Sequence, residues 1–351
     1  MEYSELSLLR EKLLKDVSLD FEGSDLRVAV IGFGKMGLLH SAILNLLKSG
    51  SVRFIVDKSR LISLGGSILI RNVKFLRSLE KLLKEDFNVA YVTTPTQTHF
   101  LIVKRLVEAG VKAIFIEKPP TRNLQEFMEL YDMIRDNIVM VGFQKRYAMP
   151  FRHAKMLIQE GIMGNIEEVR CYIKSGDVLS ATTRFDALGR GVLLDLGVHL
   201  ADLLCWFFGN LEVVEAESRS IYTRVDDFFR AKLRARSIDI LFETTWSDSG
   251  FRLPETYIEI RGSDSVLKAT EDYVKLTPHS KQDRADHGLV MYRPHYYQGF
   301  PPVLVADPEY TIEDMHFLSC IEKKIQPETS LESCSCAMRI LEETYQSAHH
   351  G

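Results

Sequence analysis

The sequence predicts a two-domain α/β protein: a doubly wound parallel sheet, followed by an α/β domain with a largely antiparallel or mixed open sheet. From residue 26 to 146, apolar runs alternate with helical patterns. After Tyr147 the pattern changes to long segments of alternating polarity. The chain has 351 residues, enough for about two domains of ~100–200 residues each. Hydrophobic residues make up 46% and charged residues 26%, so a sizeable core can form in each domain.

The apolar runs of the first domain are RVAVI, RFIVD, VAYVTT, AIFIE and IVMVGF. Near-continuous β-branched and aromatic runs separated by helices indicate a parallel sheet covered on both faces. Ahead of them, residues 1–25 read as an amphipathic helical extension. Leu6, Leu9, Leu13 and Val17 recur at helical spacing, so this segment is expected to pack on a domain or a partner subunit.

The second domain, residues 147–351, opens with a helix from Phe151 to about Glu160, stopped by Gly161. The segments EEVRCYIKS, LEVVEAESRSIYT, FFRAKLRARS, IDILFETTW and ETYIEIRGSDSVLKAT then alternate with strand period. A helix over Leu193–Phe208 falls between the first two and is expected to cover one sheet face. Residues 275–310 read as loop, and helical patterns near 312–323 and 330–348 close the chain. In FFRAKLRARS, Arg230, Lys232, Arg234 and Arg236 share one side of the strand. Cross-strand acids (Glu215 and Glu217, or Asp239 and Glu243) would make this a solvated face; a face meeting a second subunit is the competing account.

The formal net charge is −4, which offers no basic field to nucleic acid or an anionic membrane. The first residues lack a basic stretch followed by an apolar one, so no secretory signal is read. The most apolar stretch is interrupted by Asp195, His199 and Asp202, against a membrane span of ~20 residues. A cytoplasmic protein is expected. Five cysteines, Cys171, Cys205, Cys320, Cys334 and Cys336, lack zinc-ribbon spacing, and free thiols in a reducing compartment are expected rather than a metal site or disulfides.

The chemistry begins with VAVIGFGKMGLLH, where Gly32, Gly34 and Gly37 follow a strand and open a helix. Gly32 permits a tight turn, Gly34 lets backbone approach a pyrophosphate, and Gly37 allows close helix–strand packing. The loop residues Phe33, Lys35 and Met36 would join these glycines around the phosphates, on the helix N-terminus. Asp57 stands twenty residues after Gly37, where an acid accepts from a ribose 2′-hydroxyl and repels a 2′-phosphate, favouring NAD. Arg60 could accommodate that phosphate, which keeps NADP as the alternative. Lys118 ends the apolar strand of VKAIFIEKPP, and ligands of open α/β sheets bind outside such ends. Asp195 and His199, four apart on the Leu193–Phe208 helix, share a face. They suit an acid–base histidine oriented by a carboxylate, or a buried histidine satisfied locally. No metal ligand cluster is apparent.

Together VAVIGFGKMGLLH, TTPTQTH, FIEKPP, VGFQKRY and GRGVLLDLGVHLAD resemble the Gfo/Idh/MocA oxidoreductases, the family of glucose–fructose oxidoreductase and inositol dehydrogenase. The resemblance runs from about Arg27 to the C-terminal helix. It implies a Rossmann domain, an α/β domain whose open sheet forms subunit contacts, and a homodimer or homotetramer. It places Lys118, Asp195 and His199 around nicotinamide and substrate, with Thr94, Pro95, His99 and Glu117 on the cofactor side. The activity implied is NAD(P)-dependent hydride transfer to or from a secondary alcohol or ketone of a sugar, cyclitol or related polyol. A glycosidase or lyase acting through transient oxidation, and a non-catalytic dinucleotide and sugar sensor, are the rivals. Arg146, Tyr147, Lys174, Arg190 and Tyr296 are candidate substrate contacts, each with an ordinary structural alternative. Arg190 interrupts a run of glycines frequent in the family, and Gln144 and Thr96 stand where asparagine is frequent.

Overall fold

A computed structural model describes residues 3–14, 25–69, 72–179, 189–279, 288–297 and 307–350. Val17 of the N-terminal extension lies outside them. The chain forms two compact units. One holds residues 14–144 and 301–334, the other residues 1–13, 145–300 and 335–351. The C-terminal helices, which the sequence reading placed wholly in the second domain, therefore divide between the units.

In the first unit six strands form a sheet of order β3-β2-β1-β4-β5-β6, all neighbours parallel. The strands are β1 (Val28–Ile31), β2 (Val52–Val56), β3 (Lys74–Leu76), β4 (Val89–Val92), β5 (Ala113–Glu117) and β6 (Ile138–Gly142). This is the strand order of a dinucleotide-binding Rossmann sheet. Every residue of β1, β4 and β5 is buried, as strands covered on both faces must be. Between the strands run α2 (Lys35–Leu47), α3 (Arg60–Leu69), α4 (Leu79–Leu82), α5 (His99–Glu108) and α6 (Leu124–Met133).

A late segment completes this unit. Helix α10 (Pro308–Lys323) packs on α2 and β6. Its Phe317 meets Tyr91 and Phe115 edge-on or tilted, with centroids 5.7 and 5.9 Å apart, while those two rings stack at 4.7 Å. The open edge of β6 is met by the Val141 N–H donating to Thr329 O at 2.9 Å, which occupies part of the edge that β5 does not pair.

In the second unit an eight-stranded sheet has the order β14-β13-β12-β11-β7-β10-β9-β8. Only β7 (Ile166–Lys174) and β10 (Ile238–Thr245) pair in parallel, so the sheet is mixed. The others are β8 (Glu212–Arg219), β9 (Phe228–Ala235), β11 (Glu255–Gly262), β12 (Ser265–Ala269), β13 (Tyr273–Pro278) and β14 (Val290–Tyr292). The last two fall where loop was expected. Helix α1 (Tyr3–Leu14) lies against α7 (Met149–Gln159): the Arg152 Nε donates to Leu13 O at 2.8 Å, and Lys12 pairs with Glu160 at the end of α7. Short helix α9 (Arg293–Tyr297) also packs on α7.

Strand β9 shows the two faces of the sheet. Phe229, Ala231, Leu233 and Ala235 are buried, and Arg230, Lys232 and Arg234 are exposed. Those cations meet cross-strand acids: Arg230 with Glu243 and Glu217, Lys232 with Glu215, and Arg234 with Asp239. The solvated-face account holds for this chain's own contacts.

The cysteines require a correction. Cys205 of α8 (Val198–Phe208) and Cys336 of α11 (Leu331–His350) form a disulfide with Cα atoms 6.0 Å apart. Cys171, Cys320 and Cys334 stand outside this bridge and are buried. The expectation of free thiols throughout came from spacing and compartment alone, and neither detects a pairing across two helices.

Candidate active site

The dinucleotide cleft is built where β1 turns into α2. Gly32 has φ +95°, a conformation that favours glycine, and a Cβ there would stand 2.8 Å from Thr93 O. A Cβ on Gly37 would lie 2.0 Å from Gly32 O, so helix and turn could not approach as they do. At Gly34 nothing stands within 4 Å of a Cβ position, leaving open space before the helix N-terminus. No side chain caps that terminus, so α2 offers backbone N–H groups to an anion. Lys35 is exposed beside Gly34, Met36 is half-buried, and Phe33 packs edge-on against Phe75 at 5.9 Å.

Asp57, at the end of β2, fastens the glycine loop. Its carboxylate accepts from the Phe33 N–H at 2.9 Å and from the Ser59 N–H at 2.8 Å. Arg60 is exposed at the first turn of α3. A cleft of about 820 Å³, within the range of small-molecule sites, is lined by Gly32, Gly34, Asp57, Arg77, Thr94 and Arg105, among others. Arg77, Arg105 and the neighbouring Ser78–Glu80 were not singled out from sequence. Three-residue β3, which carries Arg77 to the cleft, is too short for a periodic signal. Gly34, the open helix terminus and Asp57 fit a pyrophosphate and an adenosine ribose.

On the other side of β1, the loops after β4 and β5 are tied together. His99 Nδ1 lies 2.9 Å from Pro119 O and its Nε2 2.6 Å from Thr94 O. Burial lowers the His99 pKa below its ordinary value, against the raising influence of both carbonyls. Pro95 is exposed in this loop and Thr94 half-buried. Lys118 is half-buried at the end of β5, before a cis bond to Pro119. Its backbone N–H donates to Glu117 Oε2 at 3.1 Å. Glu117 is 8% exposed, and its other oxygen, Oε1, lies 3.1 Å from His40 Nε2. His40, at the end of the quoted glycine segment, was missed: its partners lie 77 and 274 residues away.

In the second unit, residues 191–208 form one helix with a π-helical turn at Leu193–Gly197, a feature frequent at functional sites. Gly191 has φ +57°, and a Cβ there would stand 1.9 Å from Asp226 O; this close approach sets where the helix starts. Asp195 is the one half-buried residue between buried Leu194 and Leu196, and His199 is 4% exposed. One turn on, Asp202 receives the buried Arg146: Nε donates to Oδ2 at 2.7 Å.

Other proposed substrate contacts also have protein partners. Lys174 pairs with Glu243 at 2.5 Å and lies 3.7 Å from Asp248. Arg190 forks onto Glu342 at 2.6 and 3.0 Å and lies over the Tyr345 ring. Tyr296 is fully buried, its hydroxyl 2.7 Å from His153 Nδ1. Burial drives that histidine's pKa down to about 4. Tyr147 is fully buried. Among the described residues no group of three or more His, Cys, Asp or Glu could hold a metal ion, and no helix is long and apolar enough to cross a membrane.

Residues 26–144 match the family model described as "Oxidoreductase family, NAD-binding Rossmann fold", and residues 151–268 match the "GFO/IDH/MocA C-terminal domain". The chain belongs to the GFO/IDH/MocA oxidoreductase family. NAD is accordingly the cofactor of its Rossmann unit. Its similarity to scyllo-inositol 2-dehydrogenase (NAD(+)) of Bacillus subtilis is 27% identity over 195 residues, 52% of this chain and 54% of that protein. Levoglucosan dehydrogenase of Pseudarthrobacter phenanthrenivorans is 33% identical over 139 residues, 37% of this chain and 35% of the relative. The chain spans about half the length, or less, of these curated relatives. The fold extends further. The structure of a levoglucosan dehydrogenase in complex with NADH and levoglucosan superposes with a TM-score of 0.80 at 21% identity, covering 93% of this chain and 97% of that one.

Proposed function

We propose that this family member is an NAD-dependent dehydrogenase acting on a secondary alcohol of a sugar, cyclitol or related polyol. The observation that supports it most is the glycine-loop cleft: Gly34 open at an uncapped helix terminus, with Asp57 holding the loop from β2. Asp57 favours NAD over NADP, since a carboxylate beside the ribose repels a 2′-phosphate. The matched portions of an inositol and a levoglucosan dehydrogenase point to the substrate class.

Bound NAD supplies the hydride acceptor, C4 of its nicotinamide. The chain supplies the proton chemistry. In this reading His199 accepts the proton of the substrate hydroxyl, and Asp195 orients the imidazole and stabilises its cation. Lys118 donates to the same oxygen and stabilises developing alkoxide. The reading requires all three groups to reach one substrate oxygen. Arg146, Tyr147, Lys174, Arg190 and Tyr296 would shape the surroundings through the contacts described above. A cytoplasmic homodimer or homotetramer is part of the same proposal.

The test is a panel of polyols, sugars and nucleotide sugars offered with NAD and with NADP, followed at the nicotinamide absorbance. Reduction of NAD by at least one member is expected. No reduction by any member, with cofactor retained through purification, would instead favour a glycosidase or lyase working by transient oxidation.

A further inference from the structure

Behind Lys118 lies a buried polar cluster that the proposed mechanism does not use. His40 of α2 is fully buried. Its Nδ1 lies 2.9 and 3.0 Å from the two carboxylate oxygens of Asp314, and its Nε2 lies 3.1 Å from Glu117 Oε1. Asp314 is itself fully buried on α10. The other carboxylate oxygen of Glu117 accepts the Lys118 N–H.

We propose that His40 is a positioning residue for Lys118, bridging Asp314 to Glu117 and so fixing the carboxylate that holds the Lys118 backbone. The inference rests on the proposed function only in taking Lys118 as a group that touches substrate.

Geometry sets the protonation of the bridge. With Asp314 and Glu117 ionised, both ring nitrogens face oxygens that only accept, so both donate, which takes the imidazolium. Burial raises the Asp314 pKa, and the His40 charge opposes that rise. The groups packed around the ring are Asp314, Glu313 and Tyr310 of α10, Glu117 of β5, and Tyr91 of β4. Phe115 closes the remaining side with its centroid at 4.8 Å. Burial opposes a charge on His40. The Asp314 carboxylate, with Glu117 beside it, outweighs that cost and holds the histidine pKa well above its ordinary value. A neutral ring would leave one nitrogen lone pair against a carboxylate, and Glu117 would be pushed from its place under Lys118.

The ring itself can be observed in the full chain, with no substrate required. Isotope-labelled histidine, assigned by comparison with His40→Gln, is expected to show both His40 nitrogens protonated at about pH 8, where an ordinary histidine is neutral. In Asp314→Asn the ring is expected to be neutral at the same pH. For the positioning role, His40→Gln should lower turnover on the polyol found by the panel by about 10–100-fold, the scale of a small misplacement of a reacting group. Its NADH affinity should fall much less than its turnover, because the glycine loop and Asp57 are untouched. A neutral His40 ring in the wild-type chain at that pH overturns the inference, as does wild-type turnover in a folded His40→Gln. If His40→Gln does not fold, His40→Asn takes its place for both the assignment and the turnover measurement. If no polyol is oxidised, the proposed activity is at fault, and the ring signals still judge His40.

Discussion

Arg146 Nε donates to Asp202 Oδ2 at 2.7 Å, and neither side chain is more than 2% exposed. The pair joins the start of the second unit to the helix that carries Asp195 and His199. Breaking a buried ion pair by removing one partner costs about 3–5 kcal/mol, whereas replacing both by apolar groups of similar volume can be nearly neutral. Asp202→Ala should therefore unfold at markedly lower denaturant, and Arg146→Met/Asp202→Leu should recover most of the loss. Equal midpoints for wild type and Asp202→Ala would remove the pair from any structural role.

The glycine loop separates binding from folding. Gly34 has φ −80° and open space around its Cβ position, so Gly34→Ala should leave thermal stability nearly unchanged. Its methyl group would occupy the approach of the pyrophosphate, so NADH affinity should fall. Gly37→Ala places a methyl 2.0 Å from Gly32 O and should lower both. Calorimetry and a fluorescence titration with NADH read the two effects. An identical pattern for the two variants would contradict this division of labour.

Much of this architecture is legible in the residues. The five long apolar runs are strands of the parallel sheet, and the alternation in FFRAKLRARS places Arg230, Lys232 and Arg234 opposite real acids, while Arg236 falls just past β9 with φ +54°. What escaped, six-residue β13 aside, was short or distant. Strands β3 and β14 have three residues each, fewer than two periods of alternation. The His40, Glu117 and Asp314 cluster spans 274 residues, and no local pattern announces it. Charged candidates were readable as types but not as partners. Arg146, Lys174 and Arg190 look alike in sequence whether a ligand or a protein carboxylate receives them, and here carboxylates do.

The proposed acid–base set makes a kinetic prediction. Lys118→Met or His199→Asn should lower turnover by about 10²–10⁴-fold, the usual contribution of a positioned proton-transfer group. Cofactor binding should survive, because the glycine loop and Asp57 are untouched. Turnover is measured with the panel substrate and binding by NADH fluorescence. Wild-type turnover in either variant would withdraw that residue from the mechanism.

Buried acids should make the Rossmann unit sensitive to alkali. Glu313 of α10 is almost fully buried, with neither carboxylate oxygen hydrogen-bonded. Burial raises its pKa well above the ordinary range, although the His40 charge opposes this. His40 is also raised, so the folded state holds more protons than the unfolded one, and stability falls as pH rises. The His40 contribution is complete below about pH 6.5 and is lost as pH climbs through its raised value. The Glu313 penalty grows from about pH 4.5 upward until its own raised pKa is passed. Thermal unfolding should therefore occur at lower temperature at about pH 9 than at about pH 6. In Glu313→Gln, which keeps shape and cannot ionise, the slope should be shallower. A slope equal to that of the wild type would mean that Glu313 does not hold a proton in the folded state.

The Cys205–Cys336 bridge closes a loop of 131 residues and joins α8 to α11. A crosslink of that span restricts the unfolded chain by up to about 5 kcal/mol in the chain-entropy account. It joins the C-terminal end of the helix bearing His199 to the chain's last helix, so its loss should loosen that attachment before it disturbs the Rossmann sheet. Intact mass under non-reducing, denaturing conditions, after alkylation, should show three modified cysteines rather than five, matching Cys171, Cys320 and Cys334 outside the bridge. Cys336→Ser, or reduction of the wild type, should lower the unfolding temperature, and reductant should not lower that of Cys336→Ser further. NADH affinity should be unchanged in both, because the glycine-loop cleft lies wholly within the other unit. Alkylation of all five cysteines in the untreated, freshly purified protein would show that the bridge does not form.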